Sequence, residues 1–140
     1  MTVRIAFVCV QNAGRSQMAA AFAERERDRR GLGDVVEIVT GGTHPADAVH
    51  DVVVETMAEV DIDIADRTPR EVSTAELETC DYVATMGCST LELDPAIDRR
   101  AWDLPDPDGA DPATVREIRE TVRDRVVSLF DELEADRPPA

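Results

Sequence analysis

Cys9 and Arg15 frame the run Cys9-Val10-Gln11-Asn12-Ala13-Gly14-Arg15-Ser16, which sits between a short apolar stretch and a helix-forming one. A strand feeding a helix through a tight loop converges backbone N–H groups on one point, and the helix dipole adds to their field. That arrangement suits a small tetrahedral anion. Arg15 contributes a planar fork matched to two of its oxygens. The same positive setting favours the thiolate of Cys9, the form of sulfur that attacks, and the Ser16 hydroxyl is placed to donate to it. Asn12 and Gly14 are residues that accept the left-handed backbone a cradle needs. The expected chemistry is nucleophilic attack by Cys9 on an oxyanion held by the backbone of Val10, Gln11, Asn12, Ala13, Gly14 and Ser16 and by Arg15. Cys-x5-Arg alone is a weak signal; its place between strand and helix carries the weight.

The elements around the loop follow from periodicity. Val3 to Val8 reads as a buried first strand, and a helix runs from about Gly14 to Arg29 before Gly31 and Gly33 stop it. Val35 to Thr40 reads as a second strand. Pro45 is expected to open a second helix, on which Val49, Val52, Val53, Met57 and Val60 form an apolar stripe. A short helix near Ser73–Glu78, a third strand at Tyr82–Met86 and a short fourth at Arg100–Trp102 follow. Asp111-Pro112 caps a last helix carrying Val115, Ile118, Val122, Val126, Leu129 and Leu133. Alternating strands and helices predict an α/β fold, a three-layer α/β/α sandwich around a four-stranded parallel sheet, in a single catalytic domain spanning residues 1–140. Ligands of such sheets sit beyond the carboxyl ends of the strands. Cys9, Cys88, Trp102 and Asp106 all fall at that edge, with Trp102 expected as a packing wall of the site.

Composition narrows the partners. The chain has 30 Asp+Glu against 15 Lys+Arg, a net charge of -15, and every one of its bases is arginine. Such a field repels phosphate backbones and anionic lipid, so neither nucleic acid nor a membrane is expected as a partner. It also fits life in molar salt, where the Debye length shrinks to about 3 Å. With neither a long apolar run nor a leader-like start, a cytoplasmic location is expected. Three cysteines are too few for a disulfide scaffold. Without a CxxC or a His/Cys cluster, no metal site is expected. Cys80 precedes the third strand and Cys88 follows it. At ~3.3 Å per residue they stand roughly 17–20 Å apart, beyond disulfide reach, so Cys80 is expected to fill core.

The whole chain resembles the low-molecular-weight protein tyrosine phosphatase family, and within it the thiol-dependent arsenate reductases. The match is carried by Val8-Cys9-Val10-Gln11-Asn12-Ala13-Gly14-Arg15-Ser16-Gln17-Met18-Ala19, Thr40-Gly41-Gly42-Thr43-His44-Pro45, Asp61-Ile62-Asp63-Ile64, Thr85-Met86-Gly87-Cys88 and Trp102-Asp103-Leu104-Pro105-Asp106-Pro107. In Asp61-Ile62-Asp63-Ile64 the aspartate takes a family glycine's position. The resemblance implies that Cys9 attacks arsenic, that Arg15 and the loop amides bind arsenate, and that Asp106 protonates the departing oxygen, with Asp103 as the fallback acid. It implies that Cys88 then attacks the Cys9 sulfur and releases arsenite. No tightly bound cofactor is implied, only an external thiol reductant: thioredoxin, a glutaredoxin-like protein or a small thiol. Phosphate is the expected inhibitor.

The departures are specific. Ser89 to Arg100 contains no further cysteine, so the relay ends at Cys9–Cys88 or passes directly to a small thiol. Ala20 stands where some reductases place a potassium-binding glutamate. Asp108 and Gly109 follow Asp106-Pro107 where phosphotyrosine-specific members carry tyrosines. The alternatives are a phosphatase working through a Cys9 phosphocysteine on phosphotyrosine or small phosphate esters, and a non-catalytic oxyanion sensor.

Overall fold

Alternation along β1 (Val3–Cys9) sets the architecture. Ile5, Phe7 and Cys9 enter one hydrophobic core while Ala6 and Val8 enter a second on the opposite face. A strand buried on both faces belongs in the interior of a parallel sheet. β2 (Val36–Gly42) and β3 (Tyr82–Met86) flank it, and β4 (Asp98–Ala101) pairs with β3. All pairs are parallel, in the order β2-β1-β3-β4. Cys9 lies level with Gly42 on one side and Met86 on the other, at the carboxyl edge of the sheet. The computed structural model describes residues 2–86, 96–107 and 109–136, so the expectations for Cys88 and Asp108 fall outside the described residues.

Three helices cover the first face: α1 (Arg15–Arg29), α2 (Asp51–Ala58) and, after the single turn of α3 (Thr74–Leu77), α4 (Pro112–Asp136). The stripe expected on α4 is buried throughout, joined by Phe130. On the second face Leu77 of α3 packs with Val72 and Cys80 against Ala6, Val8 and Val83. Cys80 is therefore core, and burial pushes its thiol pKa up, away from thiolate chemistry.

Local signals place the helix ends. Gly31 adopts φ 68 just past α1, and Leu32 N–H returns to Arg27 O at 2.8 Å. Asp61 stands in a left-handed conformation, φ 64, after α2, a backbone that a glycine adopts more easily. Asp111 Oδ1 accepts from Thr114 N–H at 2.9 Å and caps α4. Two expectations need correction. The second helix begins at Asp51, not Pro45, because the N–H groups of Thr43, His44, Ala46 and His50 are drawn to carbonyls of the loop after β1. β4 covers Asp98–Ala101 rather than Arg100–Trp102; it is a charged edge strand, whose polarity hides it from an apolar pattern.

Arginine ties the helices together. Arg30 on the end of α1 reaches Asp131 of α4 at 2.9 Å, and Glu59 after α2 meets both Arg116 and Arg119 of α4 at 2.8 Å. These bonds hold the Glu59 carboxyl down at about 2. Acid outnumbers arginine twofold, 30 to 15, so excess carboxylates face one another across the surface. Screening that repulsion outweighs the loss of a few exposed ion pairs, each of which contributes little. The melting temperature is expected to rise steadily from low to molar KCl. A flat or falling curve in differential scanning calorimetry would show that the ion pairs dominate instead.

Candidate active site

The loop from Cys9 to Arg15 is shaped by where its carbonyls go. Thr43 N–H donates to Cys9 O (3.3 Å), His44 N–H to Val10 O (2.8 Å), Ala46 N–H to Gln11 O (2.9 Å) and His50 N–H to Ala13 O (3.0 Å). Gln17 Nε2 donates to Asn12 O (3.0 Å), and Met18 N–H donates to Gly14 O (3.0 Å) as the first turn of α1. Every carbonyl from Cys9 to Gly14 is thus bonded away from the loop's hollow. The amides of Gln11, Ala13, Gly14 and Arg15 donate to no acceptor among the described residues and remain available to an anion at the start of α1. The strap of residues 43–50 is bent and irregular for this reason, where the sequence suggested helix.

Asn12 is the hub. Its φ of 53 is the left-handed turn expected of it. Its side chain, fully buried, donates to Ser16 Oγ (2.7 Å) and Thr40 Oγ1 (2.9 Å) and accepts from Gln17 Nε2 (3.1 Å) and Arg70 N–H (3.1 Å). Thr40 in turn donates to Phe7 O at 3.0 Å. Both amide protons and the amide oxygen are used, so the hub is rigid. Asn12 N–H points to Cys9 Sγ at 3.2 Å, and Ser16 Oγ lies 2.8 Å from the same sulfur. Toward a thiolate, which only accepts, Ser16 is the donor. Cys9 itself is 2% exposed, so the groups that meet its sulfur are fixed dipoles rather than bulk water.

Arg15 is buried and donates through Nη1 to Leu104 O at 3.0 Å, while Nη2 stands 3.9 Å from Asp106 Oδ2. The guanidinium is therefore aimed from the same loop that carries Asp106. That loop rests directly on the anion loop: a β-carbon at Gly14 would stand 2.6 Å from Pro107 Cγ. Gly14 is needed for this close approach and not for a left-handed turn, since its φ is -142. Cys9, Gln11, Gly14, Arg15, His50, Asp106 and Pro107 line one small cleft. Trp102 is not among them; its ring packs on Phe7, centroids 5.8 Å apart, and it belongs to the core rather than to the wall of the site. Among the described residues no cluster of His, Cys, Asp and Glu has the makeup of a metal centre.

The structure thus brings Cys9, Arg15, Asp106 and the loop amides together, and Cys88 lies outside the described residues. Sequence reasoning missed Leu104, whose carbonyl aims Arg15, and Thr40 and Arg70, which fix Asn12. Leu104 and Arg70 act through backbone atoms, which leave no side-chain signal, and the Thr40 hydroxyl lies 28 residues from Asn12 in sequence. It also passed over His50, a lone histidine before a helix.

Residues 4–138 match the family described as low molecular weight phosphotyrosine protein phosphatase. A protein of Halobacterium salinarum named "Putative arsenate reductase" is 65% identical over 136 residues, covering 96% of each chain. The "Glutaredoxin arsenate reductase" of a Synechocystis species is 32% identical over 132 residues, 91% of this chain and 95% of its own. Among solved structures, a thioredoxin-dependent arsenate reductase of Corynebacterium glutamicum superposes with a TM-score of 0.81 at 29% identity over 97% of this chain; this chain spans 64% of that one.

Proposed function

Because the chain belongs to the low molecular weight phosphotyrosine protein phosphatase family, and its site is built around one buried thiol in an anion loop, we propose that it is a thiol-dependent arsenate reductase. The observation that carries the chemistry is the Cys9 sulfur, held by Ser16 Oγ and Asn12 N–H at the floor of a cradle of unused amides. Likeness to arsenate reductases supports arsenic as the centre attacked.

Arsenate binds to the amides of the loop and to Arg15. The Cys9 thiolate forms an S–As bond, and one arsenate oxygen leaves as water with a proton from Asp106. Cys88, or an external thiol, then attacks the Cys9 sulfur. The S–As bond breaks, its electron pair stays on arsenic, and arsenite departs as a disulfide forms. Two thiols have lost two electrons and arsenic has gained them. A thiol reductant, thioredoxin- or glutaredoxin-like or small, restores Cys9. The cycle requires a reducing compartment, which supports a cytoplasmic location. Residues 1–140 act as one catalytic domain.

Incubation with arsenate and thiol, followed by arsenite, tests this directly beside an aryl phosphate control. Ester hydrolysis without arsenite under any thiol would award the site to a phosphatase. Asp106→Asn keeps the loop's shape and removes the proton donor. It is expected to slow formation of the Cys9 adduct by about 10²–10⁴-fold, the usual contribution of a general acid. A larger loss in Asp103→Asn would move the acid to that residue.

A further inference from the structure

Two side chains of the cleft, Gln11 and His50, have no part in the steps above. His50 Nε2 donates to Gln11 Oε1 at 3.1 Å. An amide oxygen only accepts, so the ring is the donor, and the Gln11 NH2 group keeps its own protons for another acceptor. The His50 backbone is fixed from both sides. Its N–H is bonded to Ala13 O of the anion loop at 3.0 Å, and its carbonyl accepts from Val53 and Val54 N–H at 3.0 Å to open α2. The ring therefore keeps register with the loop. Its Cδ2 comes within 3.6 Å of where a Gly14 β-carbon would stand, next to Pro107.

We propose that Gln11 and His50 form a specificity wall that selects a bare tetrahedral oxyanion over a phosphate or arsenate monoester. The inference deepens the reductase reading and rests on it for the identity of the anion. Once the loop amides and Arg15 hold the other oxygens, the remaining oxygen of a bare anion is small and polar. Asp106 and the Gln11 NH2 group suit it. In an ester that oxygen carries a carbon chain, which must leave past Gln11, His50, Asp106 and Pro107. The walls it meets there are polar or already packed on Gly14. The larger aromatic residues lie elsewhere. Trp102 packs on Phe7, and Tyr82 begins β3 level with Ile5, at the far end of the sheet from Cys9, with Arg100 over its ring at 5.7 Å. An aryl group entering the cleft finds none of them to stack on.

The test is a ratio of affinities measured by isothermal titration calorimetry without turnover, using inorganic phosphate and phenylphosphonate. Wild type is expected to bind phosphate at least about tenfold more tightly, the size of effect of one hydrogen bond to a charged group. In Gln11→Ala and His50→Ala the ratio is expected to fall to roughly threefold or less. In His50→Gln, whose terminal amide reaches the place of the ring Nε2, most of the ratio is expected to return. Should one alanine variant melt early, the other carries the comparison. Equal binding of the two ligands by wild type would overturn the proposal, as would an unchanged ratio in both alanine variants. A ratio in His50→Gln as low as in His50→Ala would also overturn it. A protein that shows the ratio and yet forms no arsenite overturns the reductase reading alone.

Discussion

Cys9→Ser is expected to lower arsenite formation by roughly 10⁴-fold or more, the scale of loss when a covalent nucleophile is removed, while the protein still folds and still binds the anion. Both halves follow from the geometry. Sulfur supplies the nucleophile at the floor of the cradle, and a serine hydroxyl is a far poorer one at neutral pH. Nothing else in the loop depends on sulfur. The Ser16 hydroxyl at 2.8 Å and Asn12 N–H at 3.2 Å find a serine oxygen as acceptable a partner, and the carbonyl bonds that shape the loop are untouched. Phosphate affinity is therefore expected to stay within roughly threefold of wild type, with an essentially unchanged melting curve. Arsenite from purified Cys9→Ser at more than a trace would remove Cys9 from its role. Loss of phosphate binding alongside turnover would show that the sulfur, and not the amides, organises the loop.

Cys88→Ser separates the reductase from the phosphatase. An intramolecular thiol attacks at an effective concentration far above that of any thiol in solution. Its removal is therefore expected to cut thioredoxin-coupled arsenite release by at least about 10²-fold and to leave any aryl phosphatase activity within roughly twofold. The ester reaction ends when water breaks the Cys9 adduct, and no disulfide lies on that path. Wild type treated with arsenate is expected to show a Cys9–Cys88 bridge in peptide mass mapping, with Cys80 still a thiol. That last expectation is supported by the burial of Cys80 under α3 on the other face of the sheet and by its raised pKa. Arsenite release that persists in Cys88→Ser with a small thiol would keep the arsenate chemistry and discard the relay. A Cys9–Cys80 bridge would contradict the fold's separation of the two cores.

Sequence made the strands legible where burial is two-sided and the helices where the apolar stripe is long. Val3–Cys9 and the stripe from Val115 to Leu133 are the clearest cases. The anion loop was legible because it combines a chemical pattern with its place between those two kinds of element. The errors have separate physical origins. Val49, Val52, Val53 and Met57 are spaced for a helix and Pro45 is a good first residue, so propensity extends α2 backwards. Tertiary hydrogen bonds win, since Thr43, His44, Ala46 and His50 give their N–H groups to the anion loop. Trp102 stands beside the Asp106 motif in sequence, yet its side chain turns to Phe7. The Leu104 carbonyl that aims Arg15 is a backbone atom, and no residue type announces it.

The way the strap of residues 43–50 grips the anion loop has a consequence for how this site can change. The grip is between backbones: four amides of the strap hold the carbonyls of Cys9, Val10, Gln11 and Ala13, whatever side chains those residues carry. A substitution at Gln11, which lines the cleft, therefore alters its rim without reshaping its floor, and ligand preference can drift while the reactive centre keeps its form. Length is another matter. One residue added to or removed from the strap moves every amide out of phase with its carbonyl, and the loop's peptides lose the restraint that turns them. The site is open to variation in letters and closed to variation in spacing. A library built on it should randomise the rim and leave the number of residues between Gly42 and Asp51 alone.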